Sequence, residues 1–114
     1  MNIHVWTERI RQFAQERDWE QFHTPKNLAM ALSVEASELV EIFQWMTPEQ
    51  SAEVMSGDKA RAVQDEVADI LTYLLRFADV TGIDLDAALT AKAADNERRY
   101  TVAEAKASAA KAAH

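Results

Sequence analysis

The sequence contains no cysteine, and it has only two glycines and two prolines in 114 residues. The lack of cysteine excludes a disulfide, an iron–sulfur cluster and a zinc site with thiolate ligands. An all-β fold needs many glycine and proline turns, so helices are expected instead. No run approaches the roughly 18 apolar residues of a membrane span, and Met1–His4 does not open like a signal peptide. These absences predict a cytoplasmic protein.

Positive charge is also in short supply. The chain has 12 Lys and Arg residues against 19 Asp and Glu residues, which gives a formal net charge of −7. Proteins that bind polymeric nucleic acid neutralise its phosphates with Lys and Arg, so we expect no nucleic-acid polymer as a partner. Apolar residues make up 48% of the chain, too many for a disordered acidic protein.

Four long segments repeat their apolar residues with a helical period and predict an all-α protein. The predicted helices cover about residues 2–17, 25–46, 59–80 and 85–99. A short helix should open at Thr47, where Gln50 completes a capping box. Helices of this length with short links predict an antiparallel four-helix bundle in one domain, residues 1–101. The alanine- and lysine-rich residues 102–114 are expected to form a frayed helix or a disordered tail.

Two pairs of carboxylates stand three residues apart on predicted helices, Glu35 with Glu38 and Glu66 with Asp69. Acids on a helix usually form a solvated face, and Glu41, opposite the apolar stripe, fits that description. By contrast, Glu35 falls inside the apolar stripe of its helix, and Glu38 falls on the flank. Glu66 and Asp69 approach the edge of the apolar stripe on the next long helix. Ionised carboxylates in such positions must be paired or must bind a metal.

No Lys or Arg lies one turn away on those flanks to pair with the four acids. A cluster of carboxylate oxygens without cysteine or histidine suits a hard cation, Mg²⁺ or alternatively Mn²⁺. Di-iron bundles use Glu-x-x-His, and the matching positions here are Glu38 and Asp69, which argues against that centre. The expected metal ligands are Glu35, Glu38, Glu66 and Asp69.

The last predicted helix carries the opposite charge on its apolar face. Lys92, Asn96 and Arg99 share that face with Leu89. Inward cations can extend their heads to solvent or pair with carboxylates. Beside a metal site they favour a third interpretation, the binding of phosphate groups by the Arg fork and the Lys point charge.

Large aromatic residues occur near the predicted carboxylate cluster. Trp19, Phe22 and His23 lie in a polar stretch between helices, and Trp45 follows Glu38 by seven residues. A tryptophan is more often part of a core than of a binding surface. Aromatic residues in a polar loop beside a charged cavity favour stacking on a nucleobase. His23 alone is equally compatible with a structural or solvent-exposed histidine.

These residues resemble the all-α nucleoside triphosphate pyrophosphohydrolases, the MazG-like superfamily, over about residues 3–100. Both carboxylate pairs match the metal-binding signature of that superfamily, and the likeness is strongest to its dCTP-cleaving branch. The resemblance rests on Glu16-Arg17-Asp18-Trp19-Glu20-Gln21-Phe22-His23, Pro25-x-Asn27-Leu28, Glu38-Leu39-x-Glu41-x-Phe43-Gln44-Trp45, Glu66-x-x-Asp69 with Tyr73, and Lys92-x-x-x-Asn96-x-x-Arg99-Tyr100.

The resemblance implies a helical bundle that forms a homodimer or homotetramer with active sites built across subunits. It also implies Mg²⁺-dependent cleavage of a dNTP to the monophosphate and pyrophosphate. The positions that match the metal ligands are Glu35, Glu38, Glu66 and Asp69. The positions that match the nucleoside pocket are Trp19, His23, Trp45 and Tyr73, and those facing the phosphates or sugar are Lys92, Asn96 and Arg99. Ile10 stands where the dCTP-cleaving branch has a histidine, which leaves the base preference open.

The function expected from these observations is hydrolysis at the α-phosphorus of dCTP or a 5-modified dCTP, as a sanitation of the nucleotide pool. Glu38 is the candidate for deprotonating the attacking water. One alternative keeps this chemistry but acts on dUTP or on a broad set of nucleotides. Another alternative is a non-catalytic helical module that uses its apolar seam only for oligomerisation.

Overall fold

The computed structural model describes residues 1–112, and helices dominate it. The α-helices are α1 (Ile3–Glu16), α2 (Pro25–Phe43), α3 (Pro48–Ala52), α4 (Ala60–Thr81), α5 (Leu85–Arg99) and α6 (Val102–Ala112). Two single-turn 3-10 helices, Glu20–Phe22 and Val54–Ser56, complete the secondary structure. No β-strand occurs in residues 1–112. The predicted all-α fold class is therefore confirmed.

Polar side chains fix the beginnings of the helices because they accept hydrogen bonds from otherwise unpaired backbone N–H groups. Asn2 accepts from the first turn of α1, Thr24 from that of α2, and Asp84 from that of α5. At α3, Thr47 and Gln50 form the reciprocal capping box that the sequence predicts.

The chain divides into two compact units. The first is Met1–Gly82, and the second begins at Ile83. Gly82 ends α4 with φ +74°, a left-handed conformation that glycine adopts without strain. In the first unit, α4 packs against both α1 and α2.

The core of the first unit is small. It consists of Ala14 from α1, Leu28 from α2, and Leu75 and Ala78 from α4. Because α2 packs against α4, the faces of these two helices that carry the carboxylates lie next to each other. The antiparallel four-helix arrangement, which also requires α5, stays a prediction.

In the second unit, α5 and α6 contain no buried residue. Residues Val102–Ala112 of the predicted tail are helical, whereas residues 113–114 of that tail lie outside the described residues. The assignment of residues 1–101 as one domain stays a prediction. None of the described helices has the combination of length and apolarity needed to cross a bilayer.

One helix boundary differs from the expected one in a way that affects the site. The second helix ends at Phe43, not near Met46. Thr47 is extended (φ −73°, ψ 160°) because the proline that follows disfavours the helical conformation. The Met46 N–H donates to the Phe43 carbonyl in a turn. Trp45 therefore lies beyond α2.

Candidate active site

The centre of the candidate site is a group of three carboxylates contributed by two helices. Glu35 and Glu38 stand one turn apart on α2, and Glu66 stands on α4. One carboxylate oxygen from each residue lies within 4.8 Å of the other two. The close packing of α2 against α4 brings these acids together across about 30 residues of sequence.

Two oxygens of this group are buried without a partner. No N–H or hydroxyl group of the described residues donates to Oε2 of Glu35 or to Oε2 of Glu66. The ion pairs within residues 1–112 involve other carboxylates. An unsatisfied buried oxygen is costly, and an unpaired buried charge is more costly still. The group therefore requires either a shared proton or a cation.

The acid–base properties of the group reflect this conflict. Sharing a proton with Glu66 raises the pKa of Glu35 to about 7, and burial and the Glu38 charge act in the same direction. The same shared proton lowers the pKa of Glu66, but burial and Glu38 outweigh it, so the pKa of Glu66 is raised. The negative charge of Asp69 adds to the increase at both sites. Without a cation, the group is thus driven to hold a proton.

The donor set fits a divalent cation. Ionised carboxylates offer only acceptor oxygens, and several such oxygens within 4.8 Å match the oxygen-rich coordination of Mg²⁺. A cation would satisfy the two unpartnered oxygens and remove the repulsion among the carboxylates. Of the four predicted ligands, the structure thus brings three together: Glu35, Glu38 and Glu66. Asp69, one turn after Glu66, lies outside the set of mutually close oxygens.

Asp69 instead borders a neighbouring cavity of about 290 Å³. The residues relevant to function that line this cavity are Ile10, Trp19, His23, Asp69, Tyr73 and Arg76. Three of the predicted nucleoside-pocket residues, Trp19, His23 and Tyr73, are therefore brought together. The cavity also contains Ile10, the position that distinguishes this chain from the dCTP-cleaving branch.

The loop after α1 places Trp19 and His23 at this cavity. Asp18 adopts a left-handed conformation (φ 55°), and the Trp19 N–H donates back to the Ala14 carbonyl over 2.9 Å. This reversal is followed by the 3-10 turn Glu20–Phe22. Trp19 consequently contacts His23 edge-on, with ring centres 6.4 Å apart. The segment 18–23, which carries part of the family resemblance, thus positions Trp19 and His23 at the cavity.

Four predicted site residues are left: Trp45, Lys92, Asn96 and Arg99. Trp45 follows the end of α2, is 89% exposed and does not line the cavity. Its predicted position on the same helix flank as Glu38 is wrong, because α2 ends before it. Lys92, Asn96 and Arg99 are exposed residues of α5 in the second unit, and their predicted contact with phosphates stays a prediction.

Sequence reasoning missed a hydrogen-bond network in the wall of the cavity. Arg76, 6% exposed, donates from Nε to Nδ1 of His23 and from Nη1 to Asp79, both over 3.0 Å. Asp79 also accepts two hydrogen bonds from Arg11, of 2.9 and 2.6 Å. The only sign of this network in the sequence is the i,i+3 spacing of Arg76 and Asp79, because His23 is 53 residues away from Arg76 in sequence.

We expect the carboxylate group to make the metal-free protein less stable as the pH rises. Protonation of Glu35 stabilises the folded form fully below its ordinary pKa of 4.5, and this contribution is lost as the pH rises through about 7. In a chelating buffer, the melting temperature should therefore fall between pH 5 and pH 8, and MgCl₂ should restore it at pH 8. The variant Glu35→Gln should lose less stability than the wild type.

The exposed Glu41→Gln variant on the same helix serves as the control and should keep the wild-type pH dependence. An identical pH dependence in wild type and Glu35→Gln would show that the three carboxylates do not repel one another as described.

Comparison with known proteins supports the family resemblance. The MazG-like family profile matches residues 30–114. dCTP pyrophosphatase 1 of Bos taurus is 45% identical over 101 residues, which cover 88% of this chain and 60% of that protein. The Homo sapiens dCTP pyrophosphatase 1 is 46% identical over 90 residues, 78% of this chain and 53% of that protein. The chain thus spans little more than half the length of these relatives.

A solved structure extends the comparison to the fold. The crystal structure of a pyrophosphatase from Archaeoglobus fulgidus matches with a TM-score of 0.77 and 42% sequence identity. The match covers 82% of this chain and 87% of the archaeal chain. With the family profile covering most of the sequence, the predicted membership is confirmed: this chain belongs to the MazG-like family.

Proposed function

We propose that this protein hydrolyses deoxynucleoside triphosphates, with dCTP or a 5-modified dCTP as the main substrate, to the monophosphate and pyrophosphate. The observation that carries the proposal is the group of three carboxylates with two buried, unpartnered oxygens. It lies beside Asp69, which also borders an aromatic cavity. The names of the relatives, dCTP pyrophosphatase 1 and pyrophosphatase, support the same activity. The expected role of this protein is sanitation of the cytoplasmic nucleotide pool.

The carboxylates would hold Mg²⁺, with Mn²⁺ as a substitute. Glu35, Glu38 and Glu66 supply the close oxygens, and the family resemblance adds Asp69 as the fourth ligand. When bound, the cation supplies charge neutralisation for the triphosphate and for the pyrophosphate leaving group. Because α2 and α4 are packed against each other, the ligands are held in place before the substrate arrives.

Glu38 is proposed to accept the proton of the attacking water. Glu35 and Glu66 each have a buried oxygen without a partner, whereas Glu38 has none, so Glu38 is better placed to meet solvent. The water oxygen forms a bond to the α-phosphorus as the bond from that phosphorus to the bridging oxygen breaks. The water proton passes to the Glu38 carboxylate, and the products are the monophosphate and pyrophosphate.

The cavity next to the carboxylates is proposed to bind the nucleoside. Trp19 and Tyr73 offer aromatic surfaces for a base, and His23 offers a hydrogen-bonding ring nitrogen. Ile10 makes the same cavity more apolar than a histidine would. That apolar side suits a base with a 5-substituent but offers no hydrogen bond that distinguishes cytosine from uracil, so dUTP is the second candidate substrate.

The proposal predicts that Glu38→Gln lowers pyrophosphate release from dCTP at least about 100-fold, because the variant removes both a metal ligand and the proton acceptor. Each dNTP and NTP, together with 5-methyl-dCTP and dUTP, should be assayed with Mg²⁺ and with a chelator. Monophosphate and pyrophosphate should appear only with Mg²⁺.

Glu41→Gln is the matched control, since it removes an exposed carboxylate from the same helix, and it should keep wild-type activity. Orthophosphate as the primary product would overturn attack at the α-phosphorus. An absence of Mg²⁺-dependent turnover for every nucleotide would favour the non-catalytic helical module.

We also propose that the protein is a homodimer or homotetramer, as the family resemblance implies. Met30 and Val34 lie one turn apart on α2 and are 57% and 54% exposed. They point away from the buried Leu28 on the same helix. Contiguous exposed apolar side chains of this kind favour burial against another protein surface, here a second copy of the chain.

Sedimentation equilibrium should therefore give a mass of two or four times the 12.8 kDa of one chain. The double variant Met30→Lys/Val34→Lys should shift this mass toward that of the monomer. Val40→Lys, about 80° around the helix from Met30 and about 120° from Val34, is the control and should shift the mass much less. A monomeric wild-type protein would refute the proposed assembly.

A further inference from the structure

The mechanism proposed above leaves a buried arginine unused. The Arg76 side chain is 6% exposed, and its guanidinium group bridges two partners, His23 and Asp79. Its Nη1 donates to Oδ2 of Asp79, and its Nε donates to Nδ1 of His23. Burying an arginine is costly unless such partners satisfy it. The hydrogen bonds to His23 and Asp79 therefore account for the burial of Arg76.

The hydrogen bond to His23 has a definite chemical consequence. A guanidinium group has only donors, so Nδ1 of His23 must act as the acceptor and carry no proton. In the neutral imidazole the proton then resides on Nε2, which makes Nε2 a hydrogen-bond donor. Since Arg76 occupies Nδ1, Nε2 is the ring nitrogen of His23 that is left for a ligand in the cavity.

The charges around the imidazole agree with a neutral ring. Burial lowers the pKa of His23, the positive charge of Arg76 lowers it further, and the carboxylate of Glu20 opposes both. Protonation of Nδ1 would also replace the hydrogen bond with two donors facing each other. His23 is thus held in a single tautomer near neutral pH.

Asp79 fixes the other end of the arginine. The hydrogen bonds from Arg11 lower the pKa of Asp79, and the charge of Arg76 adds to this effect, so the carboxylate stays ionised. Arg11 approaches Asp79 from α1, whereas Arg76 and Asp79 both belong to α4. The Arg76 guanidinium is therefore oriented by a carboxylate that is itself held from a second helix.

We propose that Arg76 is a positioning residue that fixes His23 as a neutral Nε2–H donor to an acceptor atom of the bound base, such as a ring carbonyl oxygen. This inference rests on the proposed function in one respect, the binding of a nucleoside in the cavity. It adds a determinant of base recognition, because a fixed donor selects bases with an acceptor at that point and disfavours bases that present a donor there.

The tautomer of His23 is tested first in the wild-type protein without nucleotide, by long-range ¹H–¹⁵N NMR of the histidine rings. We expect a protonated Nε2 and an unprotonated Nδ1 between pH 6 and pH 8. A proton on Nδ1 would overturn the proposal. This measurement needs neither a variant nor activity, so it separates the proposal from the proposed function.

Kinetics with dCTP then test whether Arg76 acts through His23. Arg76→Met should allow both tautomers and should raise KM about tenfold, the effect of one lost hydrogen bond, with kcat within about twofold. In a His23→Ala background, the same substitution should raise KM less than about twofold. Arg11→Gln, which removes only the exposed partner of Asp79, should keep the wild-type tautomer.

An equal increase in KM with and without His23 would overturn the proposal, because Arg76 would then act on the nucleotide directly or through the fold. A wild-type protein that cleaves no nucleotide would instead refute the proposed function, and the NMR result would still decide whether Arg76 orients His23.

Discussion

The repulsion among Glu35, Glu38 and Glu66 is the constraint on which the rest of the site depends. The helices α2 and α4, which carry the buried residues Leu28 and Leu75, pack against each other and bring one oxygen from each of the three carboxylates within 4.8 Å of the others. The core thus stabilises an arrangement that is electrostatically unfavourable by itself. A bound divalent cation would offset this cost, because it would satisfy the oxygens that lack a partner.

The aromatic cavity next to the carboxylate group is formed in part by the loop after α1, whereas the carboxylate group depends on the packing of α2 against α4. It depends on the sharp reversal at Asp18, which turns the chain back over α1 and brings Trp19 and His23 to the wall. In the same wall, Arg76 donates a hydrogen bond to His23 and is itself paired with Asp79. A charged site and an aromatic site that share Asp69 as a neighbour suit a ligand with a phosphate end and a base end.

Local signals in the sequence predict much of the fold and part of the site. Helical periodicity and caps such as Thr24 and Thr47 act over a few residues, so the helices and the proximity of Glu35 to Glu38 follow from them. The proline after Thr47 is a local signal for the early end of α2, but the apolar pattern that continues to Met46 predicted a longer helix. The contact of Arg76 with His23 depends on how α4 packs against the loop after α1, which no local pattern records.

The central claim is that the carboxylates of α2 and α4 form a divalent-cation site, and anomalous diffraction from crystals soaked with Mn²⁺ tests it most directly. The account predicts an anomalous peak within coordination distance of Glu35, Glu38 and Glu66, which disappears when the crystals are soaked with a chelator. Crystals that show no Mn²⁺ among these three residues, or that bind it elsewhere, would contradict the account.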